Sequence, residues 1–522
     1  MGVSRQICYR LANFALTCVW RSWNRAGKMN VPLPRPLEYF WLRLAANFKR
    51  HEAERLMSKQ LQLRLSLLTV LMMGIQVFAA AGVIVYPESP LPRATEFIVK
   101  ANGQDIAVYN AGTFRCAPFA FSGSVTVEVA YARGTIHAYQ INPVSKGIVV
   151  RQNGNTLAFT LNQPEKLEIQ INGATSQVAD GDKLLYLFAD APEVNAPKFD
   201  DASVLYFGPG NHDLPGGELK IDDSNPHSAL YVAPGAVLNA SLDIKRTRPF
   251  KIFGRGFIQN PFTTKGHYAL GLKGCIGLEV EDVVFFNSIW HGIKILGGHD
   301  NVVRNVKTLH YVVNSDGVSL QGSTASNLVD NCFIVGNDNL IVIGGARDPG
   351  ALAGNVIRGC TFIKSSYAGN WAFPQGNGGI GPGNLVDDCD VVRCNGEVGW
   401  IRMVYGTPTT MDNLTFQNIR VQSLAGYQPD PQKDGKNRLL SLEADGPEYA
   451  RTLTLKNIYL PSAQTSFITP GRWTIIFDHV YVNGRAATCD ADLKLTKGEG
   501  VVTRYYFNKQ SNDAVRNAER QL

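Results

Sequence analysis

Residues 281–345 read EDVVFFNSIWHGIKILGGHDNVVRNVKTLHYVVNSDGVSLQGSTASNLVDNCFIVGNDNLIVIGG. Short β-branched apolar bursts alternate here with Gly, Asn, Asp and Ser. Similar openings recur along the chain: Asp282-Val-Val, Asn305-Val-Lys, Asn331-Cys-Phe, Gly359-Cys-Thr, Asp388-Cys-Asp, Asn418-Ile-Arg, Asn457-Ile-Tyr and His479-Val-Tyr. They are spaced by roughly 22 to 30 residues, with one gap near 39, a period that marks stacked coils. One such coil cannot bury its inward face alone, so neighbours stack and share a continuous core. The pattern predicts an all-β chain built on a right-handed parallel β-helix.

The chain has 522 residues, enough for a long solenoid and a further domain, and a formal net charge of +7. Residues 1–56 hold ten Lys or Arg and three Glu, which accounts for the whole surplus. The remainder is neutral, so its charge gives no reason to expect a nucleic-acid partner. From Met57, a basic start (Lys59, Arg64), an apolar run from Leu65 to Val77 and Ala79-Ala80-Ala81 form the pattern of a signal peptide over 57–81. The run is shorter than the about 20 residues of a membrane span. This predicts translation from Met57, with 1–56 a dubious upstream extension, and a secreted or periplasmic, monomeric protein.

Residues 83–193 carry alternating strands such as GSVTVEVAYA and EKLEIQINGA joined by Asn-Gly turns, the pattern of an antiparallel β-sandwich. The β-helix is expected over 200–488, with 489–522 as a C-terminal cap that includes a short terminal helix. Cys332, Cys360 and Cys389 follow the opening residue of three successive strands, so they are expected to stack inward. Parallel, same-facing side chains do not supply disulfide torsion, so packed thiols are expected.

Asp316 and Asp338 lie 22 residues apart, about one coil, each just before an apolar strand. That places two carboxyls on adjacent rungs at matching positions facing a groove. One can protonate a leaving oxygen while the other activates water, the minimum equipment for glycoside hydrolysis. Asn and Asp also serve as turn residues at coil corners, so spacing alone leaves a structural role open.

The stretch from Trp290-His291 through Asn314-Ser315-Asp316-Gly317 to Asn337-Asp338-Asn339 resembles the polygalacturonase-type glycoside hydrolases of family 28. It is also similar to the β-helical dextranases and isopullulanases of family 49, as is the front pattern LYFGPG…LYVAPGAVL after a β-sandwich. The resemblance implies a hydrolase cleaving α-glycosidic bonds in a polysaccharide with inversion, Asp338 as general acid and Asp316 as base. Asn339 stands where those families have a second Asp. The Gly-His-Gly of family 28 has no counterpart in SSYAGNWAFPQGNGG, and Val404 follows Arg402 where an Arg-Ile-Lys would end in Lys. Arg402 alone is then left to meet an acidic sugar, which favours a neutral α-glucan; a salt bridge to Glu397 is its other reading. Tyr367, Trp371, Trp400 and Tyr405 follow the acids and are expected to stack on sugar rings, with His310 and Asn314 beside Asp316. No cofactor or metal is expected. A polysaccharide lyase and a non-catalytic glycan-binding β-helix remain the alternatives.

Overall fold

The computed structural model describes residues 82–507 apart from 175–179, 313, 345–351, 365–370, 376–377, 395–399, 404–409, 425–437, 444–445 and 464. The expected signal peptide and terminal helix lie outside the described residues, as do Tyr367, Tyr405, Val404 and Glu397. The described residues belong to one compact unit.

Residues 82–190 form two sheets. One runs in the order Gly82–Ile84, Phe114–Ser122, Leu184–Asp190, Glu165–Ile171, Tyr139–Asn142; the other runs Gln104–Ile106, Phe97–Ala101, Val125–Tyr131, Thr156–Leu161, Val150–Asn153. In Val125–Tyr131 every second side chain is buried, as VTVEVAY demands of a strand with one wet face. The pairing is antiparallel except where Leu184–Asp190 lies parallel to Phe114–Ser122.

Beyond residue 200 the chain winds through about ten parallel coils. A middle coil has three strands. Ile293–His299, Val318–Ala325 and Ile341–Gly344 stack into a first sheet. Val302–Arg304, Leu328–Asp330 and Val356–Arg358 form a second. Lys307–Leu309, Phe333–Gly336 and Thr361–Lys364 form a third. Strands Leu495–Lys497 and Val502–Tyr506 pair in parallel with the preceding rungs, so the stack continues past residue 488.

The residues that open each burst explain the corner between the second and third sheets. Asp282, Asn305, Asn331, Gly359, Asp388, Asn418, Asn457 and His479 all have positive φ, between 49° and 75°. Gly adopts that left-handed conformation freely, and Asn and Asp tolerate it better than other residues. At the corner before the second sheet, Asn301, Asn327, Asn355 and Asn384 point inward. The amide nitrogens of Asn301, Asn327 and Asn355 each donate to the next rung's amide oxygen at 2.8–2.9 Å, and that of Asn384 donates to the Leu352 and Gly381 carbonyls. This buried ladder satisfies backbone N–H groups that the turn would otherwise strand. Cys332, Cys360 and Cys389 are buried free thiols, with the Cys332 N–H donating to Cys360 Sγ at 3.4 Å.

The sandwich packs on the outer face of the third sheet. Phe114, Tyr186 and Phe188 meet Phe286, Leu309, Phe333, Val335, Ile363 and Val392 in one apolar cluster. Two ionic clamps frame it. Lys307 Nζ, fully buried, donates to both oxygens of Asp190 at 2.8 and 2.9 Å. Arg393 grips Glu168 through both terminal nitrogens at 2.6 Å, while Asn142, Gln170 and Tyr186 also donate to that carboxylate.

Candidate active site

The turns that lead from the third sheet back into the first carry the acids. Asp316 ends the turn between Lys307–Leu309 and Val318–Ala325, and Asp338 lies between Phe333–Gly336 and Ile341–Gly344. The register differs from the expected one. Val318 pairs with Ile341, and the Gly317 N–H donates to the Asn339 carbonyl at 2.9 Å. Asp316 therefore aligns with Asn339, 23 residues on, and Asp338 sits one residue earlier on its turn. A side chain one step along an extended chain points differently, so the two carboxyls are not equivalent.

Their surroundings differ accordingly. Asp316 is 5 % exposed. One of its oxygens accepts from the backbone and side-chain nitrogens of Asn339, at 3.0 and 3.2 Å. The other lies 2.5 Å from His291 Nδ1, which is also 3.0 Å from Ser319 Oγ. An ionised carboxylate only accepts, so Nδ1 of His291 carries the proton. Asp338 is half-buried, and its carboxyl is raised above its ordinary value by burial first and by the charge of Asp316 second, against the opposing pull of Lys364.

Two buried lysines flank the pair. Lys364, at the end of Thr361–Lys364, donates to the main-chain carbonyl of Asp338, and burial lowers its pKa to about 8 while Asp338 and Asp316 resist. Lys294 donates to Gln321 Oε1 and lies 5.9 Å from the Tyr268 ring centroid; burial lowers it to about 8 against the charge of Asp316. Both lysines, and His291 as a partner of Asp316, are additions to the residues expected from sequence. Lys294 and Lys364 interrupt apolar strands (IKIL, TFIK), and a cation inside a β-branched run is a signal for a built charge environment.

The remaining expected residues divide. Asn314 sits at the groove margin with φ +71°, accepting from Lys265 Nζ at 3.0 Å. Arg402 is half-buried on the outward column that runs Lys294, Ser319, Val342 and on to Ser441. It stands three rungs beyond Ser319, about 14 Å at strand spacing, and its Nε has no partner among the described residues. His310 is a correction. It is fully buried, Nδ1 accepts from the Ser288 N–H at 3.1 Å, and burial lowers its pKa to about 3, so it is a neutral core histidine. Trp371 and Trp400 are a second correction. They stack on one another at 4.4 Å inside the coil's apolar column, fully buried, and offer no face to a sugar. Their large apolar rings gain more from the column than a groove wall could return. The partly exposed aromatic side chains near the acids come instead from earlier coils: Tyr268 lies 5.7 Å from the His291 ring, and Trp290 lies 5.0 Å from it and under Lys265 at 5.2 Å. Asp388 and Asp390 are taken up by Arg420.

The parallel β-helix preceded by a β-sandwich is a fold also found among solved glycoside hydrolases. Among solved structures, the chain is similar to Dex49A from Penicillium minioluteum, with a TM-score of 0.55 and 12% identity over 80% of this chain and 96% of that one. It also matches the family 28 exopolygalacturonase of Yersinia enterocolitica (TM-score 0.35, 12% identity, 73% and 97% covered). A third match is the catalytic unit of a family 87 α-1,3-glucanase from Streptomyces thermodiastaticus (TM-score 0.38, 12% identity, 82% and 86% covered). At 12% identity the likeness to Dex49A is one of fold. No protein-family profile and no curated protein sequence matches the chain.

Proposed function

We propose that this protein is a glycoside hydrolase that cleaves α-glycosidic bonds in a polysaccharide, with inversion, outside the cytoplasm. The observation that carries the reading is the contrast between the two carboxyls. Asp316 accepts donors on both oxygens, from Asn339 and His291, and suits the base. Asp338 has its acidity weakened by burial and by its neighbour's charge, and suits a proton donor near neutral pH. Two carboxyls in unlike environments can divide the acid and base roles. Asp338 protonates the glycosidic oxygen as the bond breaks, and Asp316 takes a proton from the water that attacks the anomeric carbon. His291 and Asn339 act through Asp316, fixing its orientation. Asn339, an amide where the resembled families have an acid, serves as a donor and does not compete for the proton.

Tyr268 and Trp290 offer amphipathic rings for a pyranose beside Asp316. Arg402, about three rungs away, reaches a sugar further along the chain. One cation at that distance is compatible with a neutral glucan such as dextran and leaves a uronate polymer as the second substrate to try. The signal-peptide pattern at 57–81 supports action outside the cytoplasm.

The test is reducing-sugar release over dextran, pullulan, an α-1,3-glucan and polygalacturonate, with Asp338→Ala alongside. Loss of a general acid lowers turnover by about 10²–10⁴-fold, with binding of the same glycan retained. An unsaturated, ultraviolet-absorbing product would identify a lyase instead. Glycan binding with no turnover by the unaltered protein would identify a binding module. Either result refutes the assignment.

A further inference from the structure

We propose that Lys364 is a positioning residue of this site: its buried ammonium anchors the Asp338 turn and supplies the charge against which Asp338 gives up its proton. The proposal rests on the hydrolase reading above for its kinetic consequence, but its physical content is separate. Lys364 is 4 % exposed, on the last residue of a third-sheet strand. A lysine is buried almost only where something compensates its charge. Here Lys364 donates to the Asp338 carbonyl, and the ionised groups that act on it are Asp338 and Asp316. The other titratable neighbour is the Cys394 thiol, which burial pushes up to about 12 and so leaves uncharged. Arg393, next to it across the sheet, is held by Glu168 and presents only its Nε–H, 3.4 Å from the Lys364 carbonyl. On the far side of the pair stands His291, bound to Asp316.

The consequence has a definite sign. With Lys364 charged, the conjugate base of Asp338 is stabilised, so Asp338 is a stronger acid than burial and Asp316 alone would leave it. A neutral residue at 364 should leave Asp338 protonated to higher pH and make it a poorer donor. The alkaline limb of kcat/KM would then move upward by about one pH unit or more, the usual effect of losing one close opposite charge, while the plateau falls. Lys364→Met and Lys364→Gln should both show this, and Lys364→Arg should not.

The experiment is the pH profile of kcat/KM for these three variants on the best glycan of the panel. It is paired with a carboxyl-carbon NMR titration of the unaltered protein labelled at aspartate, with Asp338 assigned from Asp338→Asn. In the titration, Asp338 should show a second inflection near pH 8, as Lys364 loses its proton. A limb that stays in place in Lys364→Met despite lower activity would assign Lys364 to packing and overturn the proposal. So would a shift in Lys364→Arg as large as in Lys364→Met. If the neutral variants do not fold, the titration decides alone, and absence of the inflection near pH 8 overturns the proposal. If no glycan is turned over, the hydrolase reading fails while the titration still tests the Lys364–Asp338 coupling.

Discussion

Arg393→Met should be the most informative single change at the contact between sandwich and coil. Glu168, with no exposed surface, would keep Asn142, Gln170 and Tyr186 as donors but lose the charge that balances its own. Breaking a buried pair from one side costs about 3–5 kcal/mol, because the remaining ion stays desolvated. Against a total stability of about 5–15 kcal/mol this is a large fraction. Replacing both partners, Glu168→Gln with Arg393→Met, removes the stranded charge and should recover more than half of the loss. The pH dependence has opposite signs in the two backgrounds. In the unaltered protein burial raises Glu168, but Arg393 outweighs it and holds the carboxyl below its usual range. The pair therefore adds stability above the unfolded value of about 4.3, and that stability is lost as pH falls through the folded value. In Arg393→Met only burial and neutral donors act, so Glu168 titrates higher and its penalty is relieved on acidification. Equilibrium unfolding in urea at pH 7 and pH 5 would read both effects. A loss below about 1 kcal/mol at pH 7, or a deficit that grows toward pH 5, would refute the reasoning.

Three further outcomes follow from other contacts. Asn339→Asp would set a second carboxylate against the Asp316 oxygen that Asn339 now donates to; like charges share one proton more readily, so the acidic limb of the pH–rate profile should move to higher pH. Asn327→Ala would strand the Asn301 N–H and interrupt the amide ladder, costing about 2–4 kcal/mol in urea unfolding. Trp371→Ala should cost about 3–5 kcal/mol by emptying the column beside Trp400, with KM for the glycan unchanged under conditions where the variant is folded.

The coil was legible because its punctuation is steric. Asp282, Asn305, Asn331 and their successors recur at one corner where the backbone needs positive φ, and few residues meet that demand. Asp316 and Asp338 were legible as a pair because one coil's length separates them. Their relative alignment was not, since a turn can absorb one residue without changing the apolar pattern on either side. The tryptophans misled for a related reason. Trp371 and Trp400 stand immediately before their strands, in register with the buried Leu340, whereas Asp316 stands one residue earlier on its turn, and that one-residue difference is not visible in the apolar pattern. Only the packing of Phe362 and Phe416 around Trp371 shows it. His291 and Lys364 were obscured because each works across rungs, meeting a residue about one coil away.

The sandwich braces the strands that lead to the carboxyl pair. Lys307 and Arg393, the residues it clamps, lie on the strands that border Asp316 and Lys364. It thus works as a buttress for the edge that carries the two carboxyls, and loosening its grip should degrade the precision of that edge at temperatures where the solenoid itself is still wound.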